Sequence, residues 1–141
     1  MSRWKRETKL PFSKMDFLNS IQETKIFFMP HEHFKECIEA CQACATVCNH
    51  CAAACLQEED VTHLVKCIQL DMECAAICET AAKIMSIYGH SAEQLCSLCA
   101  DICNRCADEC EKHAKMGMEH CRECAEACRA CAEICTQMTH V

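Results

Sequence analysis

The chain has 141 residues, 25% of them charged and 51% hydrophobic, with a net charge of −7, which is the composition of one globular domain of ordinary size. The acidic balance argues against nucleic acid and anionic membrane surfaces as partners, and no stretch approaches the roughly 18 consecutive apolar residues of a membrane span. Two glycines and two prolines are too few for a turn-rich β fold, which leaves an all-α chain.

The start, MSRWKRETKLPFSKMDF, has basic residues but no apolar run after them and no small-residue cleavage site. Export is therefore not expected, and the default compartment is a reducing cytoplasm. Residues 1–30 hold Trp4, Phe12, Phe17, Phe27 and Phe28, whereas beyond Phe34 the one aromatic residue is Tyr88. This N-terminal extension reads as an amphipathic helix that covers a bundle end or contacts another subunit, with a weakly ordered tail as the alternative. Residues 31–141 form the cysteine-rich remainder.

The first segment, about Pro30 to Gln57, places Cys37, Cys41, Cys44, Cys48, Cys51 and Cys55 at steps of four, three, four, three and four. Alternating threes and fours keep all six on one face of an α-helix, where leucine is usual. The second, about Asp60 to Tyr88, keeps only Cys67, Cys74 and Cys78 on its stripe; Asp71, Ala81 and Met85 take the other positions, and Asp71 is expected to leave a local gap in any metal array along the seam. The third, about Ser91 to Met116, carries Cys96, Cys99, Cys103, Cys106 and Cys110. The fourth, Met118 to Met138, carries Cys121, Cys124, Cys128, Cys131 and Cys135.

Pro30 suits a first helical turn, Asp60 a cap for the second segment, Gly89 its close, and Ser91 with Gln94 a capping box that opens the third. From Cys110 the register runs on past Ala114 and Gly117 to Cys121; Gly117, behind Lys112, His113 and Lys115, argues for a turn there against one continuous helix. Four amphipathic segments with short connections predict an antiparallel, up-down-up-down four-helix bundle with a cysteine-lined core.

Nineteen inward cysteines are too many to act only as small hydrophobes. Large-to-small replacement costs about 2 to 5 kcal/mol per buried site, against a total stability of about 5 to 15 kcal/mol. The odd count and the reducing compartment weigh against a disulfide framework. The CxxCxxC run of ferredoxins, the CxxCH haem signature and the inward Glu-x-x-His pairs of a di-iron bundle do not occur. Soft metal ions remain. Five Zn(II) layers would set about nineteen thiolates against ten positive charges, leaving roughly −9 in a low-dielectric core. Cu(I) carries one charge, prefers soft thiolate and tolerates two-coordination, so about one ion per thiolate is close to neutral. Adjacent sites with shared sulfurs and no open position mean storage, not catalysis. A zinc or cadmium thiolate reservoir and a thiol redox buffer stay open as alternatives.

With its inward CxxC and CxxxC steps, the region from about Phe34 to Met138 resembles the bacterial copper storage proteins and, without an export signal, their cytosolic branch. The resemblance implies a four-helix bundle filled with many Cu(I) ions held by the nineteen cysteines, no enzymatic activity, and a homotetramer. At the pole where the first segment starts and the fourth ends, Phe34, Ile38, Ile84, Ile87, Tyr88, Leu95, Leu98 and Ile134 are expected to form a plug. At the other pole His63 precedes Cys67 by four, His113 follows Cys110 by three and Met118 precedes Cys121 by three, all continuing the thiol stripes. With Met116 and His120 nearby, these imidazole and thioether donors are soft enough to pass Cu(I) inward, and this pole is the expected mouth.

Overall fold

The computed structural model describes residues 30–139, with side chains from Phe34 onward. The chain divides between Glu32 and His33 into two units, and the amphipathic helix expected within residues 1–30 lies outside the described residues. The described residues form α1 (Pro30–Cys55), a single 3-10 turn (Thr62–Leu64), α2 (Val65–Ser86), α3 (Ala92–Ala114) and α4 (Glu119–Met138). Among the described residues there is no strand, and no helix is long and apolar enough to cross a membrane.

Sulfur contacts give the helix directions. α1 runs antiparallel to α4, since Cys37 meets Cys135 at 3.4 Å and Cys55 meets Cys121 at 3.9 Å. α2 runs antiparallel to α3 through Cys67 with Cys110 at 3.7 Å and Cys78 with Cys99 at 3.4 Å. Across the core α1 is parallel to α3, with Cys41 against Cys99 at 3.8 Å and Cys44 against Cys103 at 3.9 Å. This is the expected up-down-up-down bundle.

The helix ends depart from expectation in three places. Asp60 Oδ1 accepts the Thr62 N–H at 3.1 Å just ahead of the 3-10 turn, whose N-cap position is Val61, and α2 itself begins at Val65. At the end of α2 the N–H of Gly89 reaches the Ile84 carbonyl at 2.9 Å and that of Tyr88 reaches Met85 at 3.2 Å, the bond pair of a Schellman close. The left-handed residue of that motif is Tyr88, at φ 53°, and not the glycine. Gly89 is required for closeness instead, because a Cβ there would lie 2.5 Å from Ile84 Cγ2. Ser91 makes no side-chain cap; its carbonyl accepts the Leu95 N–H at 3.0 Å, and Ala92 N–H is satisfied by the Gly89 carbonyl at 3.2 Å. Between α3 and α4 the turn prevails over a continuous helix: Gly117 sits at φ 94°, and Met118 N–H bonds the His113 carbonyl at 3.2 Å.

All nineteen cysteines are buried, none more than 1% exposed. Beside each stripe lies a pair of buried alanines seven residues apart: Ala45 and Ala52, Ala75 and Ala82, Ala100 and Ala107, Ala125 and Ala132. Small residues on every inner face let the helices approach closely and keep the stripes within sulfur reach. At the expected plug, Phe34, Ile38, Ile84, Leu95 and Ile134 do pack on the core. Ile87, Tyr88 and Leu98 do not, being 63%, 45% and 44% exposed. α2 stops at Ser86, which leaves Ile87 and Tyr88 in the turn beyond it, and Leu98 lies off the stripe between Cys96 and Cys99.

Candidate metal centre

Because steps of three and four hold each stripe to one helix face, the four stripes meet along the bundle axis. A disulfide would bring sulfurs to about 2.05 Å; the contacts described above begin at 3.4 Å, and all nineteen cysteines are free. The sulfurs form tetrads whose members lie within 4.8 Å of one another: Cys41, Cys99, Cys131 and Cys135; Cys44, Cys78, Cys103 and Cys131; Cys44, Cys48, Cys74 and Cys128; Cys48, Cys106, Cys124 and Cys128. Cys131, Cys44, Cys48 and Cys128 each belong to two tetrads, so these four sets merge into one column. A further set at the expected mouth end joins Cys51, Cys55, Cys67 and Cys121.

Asp71 stands at the junction of that last set with the column. It is fully buried, and its Oδ1 accepts thiol hydrogens from Cys106 at 3.2 Å, Cys124 at 3.3 Å and Cys110 at 3.5 Å, while its Oδ2 accepts from Cys67 at 3.8 Å. Burial, then the neighbouring Cys106, Cys51 and Cys67, push its carboxyl up to about 11. At the other pole Met85 is fully buried, with its Sδ 3.5 Å from the Cys96 thiol that donates to it. Spacing places both residues on the stripe of α2, but from the sequence only cysteines within the stripes and histidine or methionine at the expected mouth read as donors.

At the opposite pole, the expected mouth, His63 and His113 come together. His113 is 4% exposed, and its ring centroid lies 5.8 Å from that of His63, which is half exposed and held by Asp60 at 3.5 Å. His120 Nε2 lies 3.5 Å from Cys55 Sγ, a contact closer than its sequence position promised. Met118 is half-buried against the core, while Met116 is 62% exposed. Burial, then the neighbouring Cys51 and Cys67, pushes the Cys55 thiol up, so this sulfur at the end of α1 holds its proton without metal.

Glu109 was not among the sequence candidates, although its place four residues before His113 was visible. It is 7% exposed, and its Oε1 lies 3.3 Å from His113 Nε2. Its Oε2 is held by Lys112 at 3.1 Å and by Lys66 at 3.6 Å. Burial works to raise the Glu109 carboxyl, but Lys112, His113 and Lys66 outweigh it and hold the group below the usual carboxylate range. Among the described residues His113 Nδ1 is buried with no hydrogen-bond partner.

Four antiparallel helices around a continuous column of reduced thiols, with imidazoles at one end, define a protein that sequesters soft metal ions by thiolate. The copper storage protein family model matches residues 30–140, and the chain belongs to that family. Over 71 residues it is 47% identical to the uncharacterized cysteine-rich protein YhjQ of Bacillus subtilis (strain 168), a match covering 50% of this chain and 66% of that relative, just under two thirds of its length. The solved structure of Cu(I)-bound copper storage protein BsCsp3 superposes with a TM-score of 0.71 at 47% identity, covering 76% of this chain and 98% of that one. A cytosolic copper storage protein from Streptomyces lividans, loaded with five coppers, gives a TM-score of 0.76 at 42% identity over 79% of this chain and 95% of its own.

Proposed function

We propose that this protein stores Cu(I) in the cytosol, with the nineteen cysteine thiolates as ligands and without catalysing a reaction. One observation carries the reading: a column of buried, unbridged sulfurs in which consecutive tetrads share members. Shared sulfurs suit bridged Cu(I), whereas separate Zn(II) ions each need a closed tetrahedral set of their own. Copper enters at the pole of His63, His113, His120 and Met118, whose imidazole and thioether donors lie beyond the last thiols of the stripes, and the sulfurs of Met85 and Cys96 end the column at the far pole. The chain acts as a homotetramer, as the family resemblance implies.

Anaerobic titration of the reduced protein with Cu(I), against a competing chromogenic chelator, tests this. Saturation is expected near one ion per thiol, with a rise in the thermal midpoint because the unfolded chain lacks the preformed column. Saturation at four or five Zn(II) with weak Cu(I) uptake would replace copper with a zinc reservoir. Rapid loss of free thiols to peroxide, with no metal uptake, would replace it with a redox buffer.

A further inference from the structure

A buried carboxylate on one nitrogen of a buried imidazole, with the other nitrogen unpartnered, is the arrangement that outer-shell carboxylates impose on metal-binding histidines. Glu109 and His113 form it on one turn of α3, at 3.3 Å. The carboxylate can only accept, so the Nε2 facing it must carry the hydrogen. A second hydrogen on Nδ1 would be a buried donor with nothing to receive it, since nothing described bonds that atom. Nδ1 therefore presents a lone pair. Lys66 from α2 and Lys112 from α3 both lie on Oε2 of Glu109, which leaves Oε1 for the imidazole and pins the carboxylate across two helices.

We infer that Glu109 is a positioning residue: by accepting the Nε2–H of His113 it fixes the imidazole tautomer and makes Nδ1 the copper-capturing atom at the mouth. This rests on the mouth reading given above. The arrangement has a chemical use. Each thiol must release a proton before it binds Cu(I), but a neutral Nδ1 binds the ion with no proton to lose, so His113 holds copper while the thiols behind it ionise.

The test uses the full-length reduced chain and its Glu109→Ala, Glu109→Gln and His113→Ala variants. Nitrogen-15 spectra of the metal-free protein should show His113 as the Nε2–H tautomer. Glu109→Ala should convert it to a tautomer mixture, and Glu109→Gln, whose amide oxygen still accepts, should restore the wild-type pattern. Cu(I) uptake from a chromogenic chelator should slow by about 10-fold in Glu109→Ala, the lower end of outer-shell effects. It should recover in Glu109→Gln and slow at least as far in His113→Ala, while final copper capacity and thiol count in both Glu109 variants match wild type. An unchanged tautomer and uptake rate in Glu109→Ala, beside slow uptake in His113→Ala, overturns the role of Glu109 and leaves the mouth in place. Unchanged uptake in His113→Ala overturns both.

Discussion

Asp71 meets thiols from α2, α3 and α4 and no cationic side chain among its hydrogen bonds, so in the metal-free protein its carboxyl stays protonated. Burial is the main cause, followed by Cys106, Cys51 and Cys67. In the unfolded chain the group ionises near its ordinary value of 3.8, and in the fold only near 11. Between those values the native state keeps a proton that the unfolded state has lost, so this group's contribution is complete at low pH and falls as pH rises. Asp71→Asn keeps the shape and removes the titration. The stability of the metal-free wild type relative to Asp71→Asn should therefore fall by about 1 kcal/mol per pH unit between about pH 5 and pH 8, measured by urea unfolding under reductant. Parallel curves would mean that Asp71 is ionised inside the fold. The sequence put Asp71 on the cysteine face by spacing alone; that it fills its position, gathering four thiols, depends on contributions from three helices that no single stripe reveals.

At the level of elements, the stripes were legible because the fold demands them at every turn: a cysteine displaced by one position would leave the seam, so spacing encodes each helix face directly. Helix ends were less so. The close of α2 puts Tyr88, not Gly89, in the left-handed region, and the expected Ser91 cap is replaced by backbone bonds, because the Schellman loop already supplies acceptors. At the α3 to α4 turn the glycine does occupy that region, and a Cβ on Gly117 would meet nothing within 4 Å. Gly117→Ala therefore isolates backbone strain from packing. It should lower stability by about 1 to 2 kcal/mol, read by thermal or urea unfolding, with Cu(I) capacity unchanged. A loss of capacity would show that the turn sets the geometry of the mouth and does more than connect two helices.

For the whole molecule, the alternatives the sequence left open differ in how charge changes on filling. Among the described residues the thiols' polar contacts run to other thiols, to Asp71, to Met85 and to His120 and include no lysine or arginine, and burial pushes the Cys55 thiol upward. A buried core whose thiols bond one another with no lysine or arginine among those contacts favours S–H groups before metal arrives, and the formal net charge of the chain is −7. Each Cu(I) that replaces a thiol proton exchanges one positive charge for another, so loading should leave the net charge near its starting value while releasing about one proton per ion. A Zn(II) in a four-thiolate set expels four protons for two charges and leaves the molecule more negative by about two per ion. A pH-stat titration at neutral pH, combined with electrophoretic mobility of the native protein, separates the cases: one proton per Cu(I) and unchanged mobility are expected. Filling without proton release would mean that thiolates exist before the metal arrives, and the core would then need a source of positive charge that neither its composition nor its contacts supply.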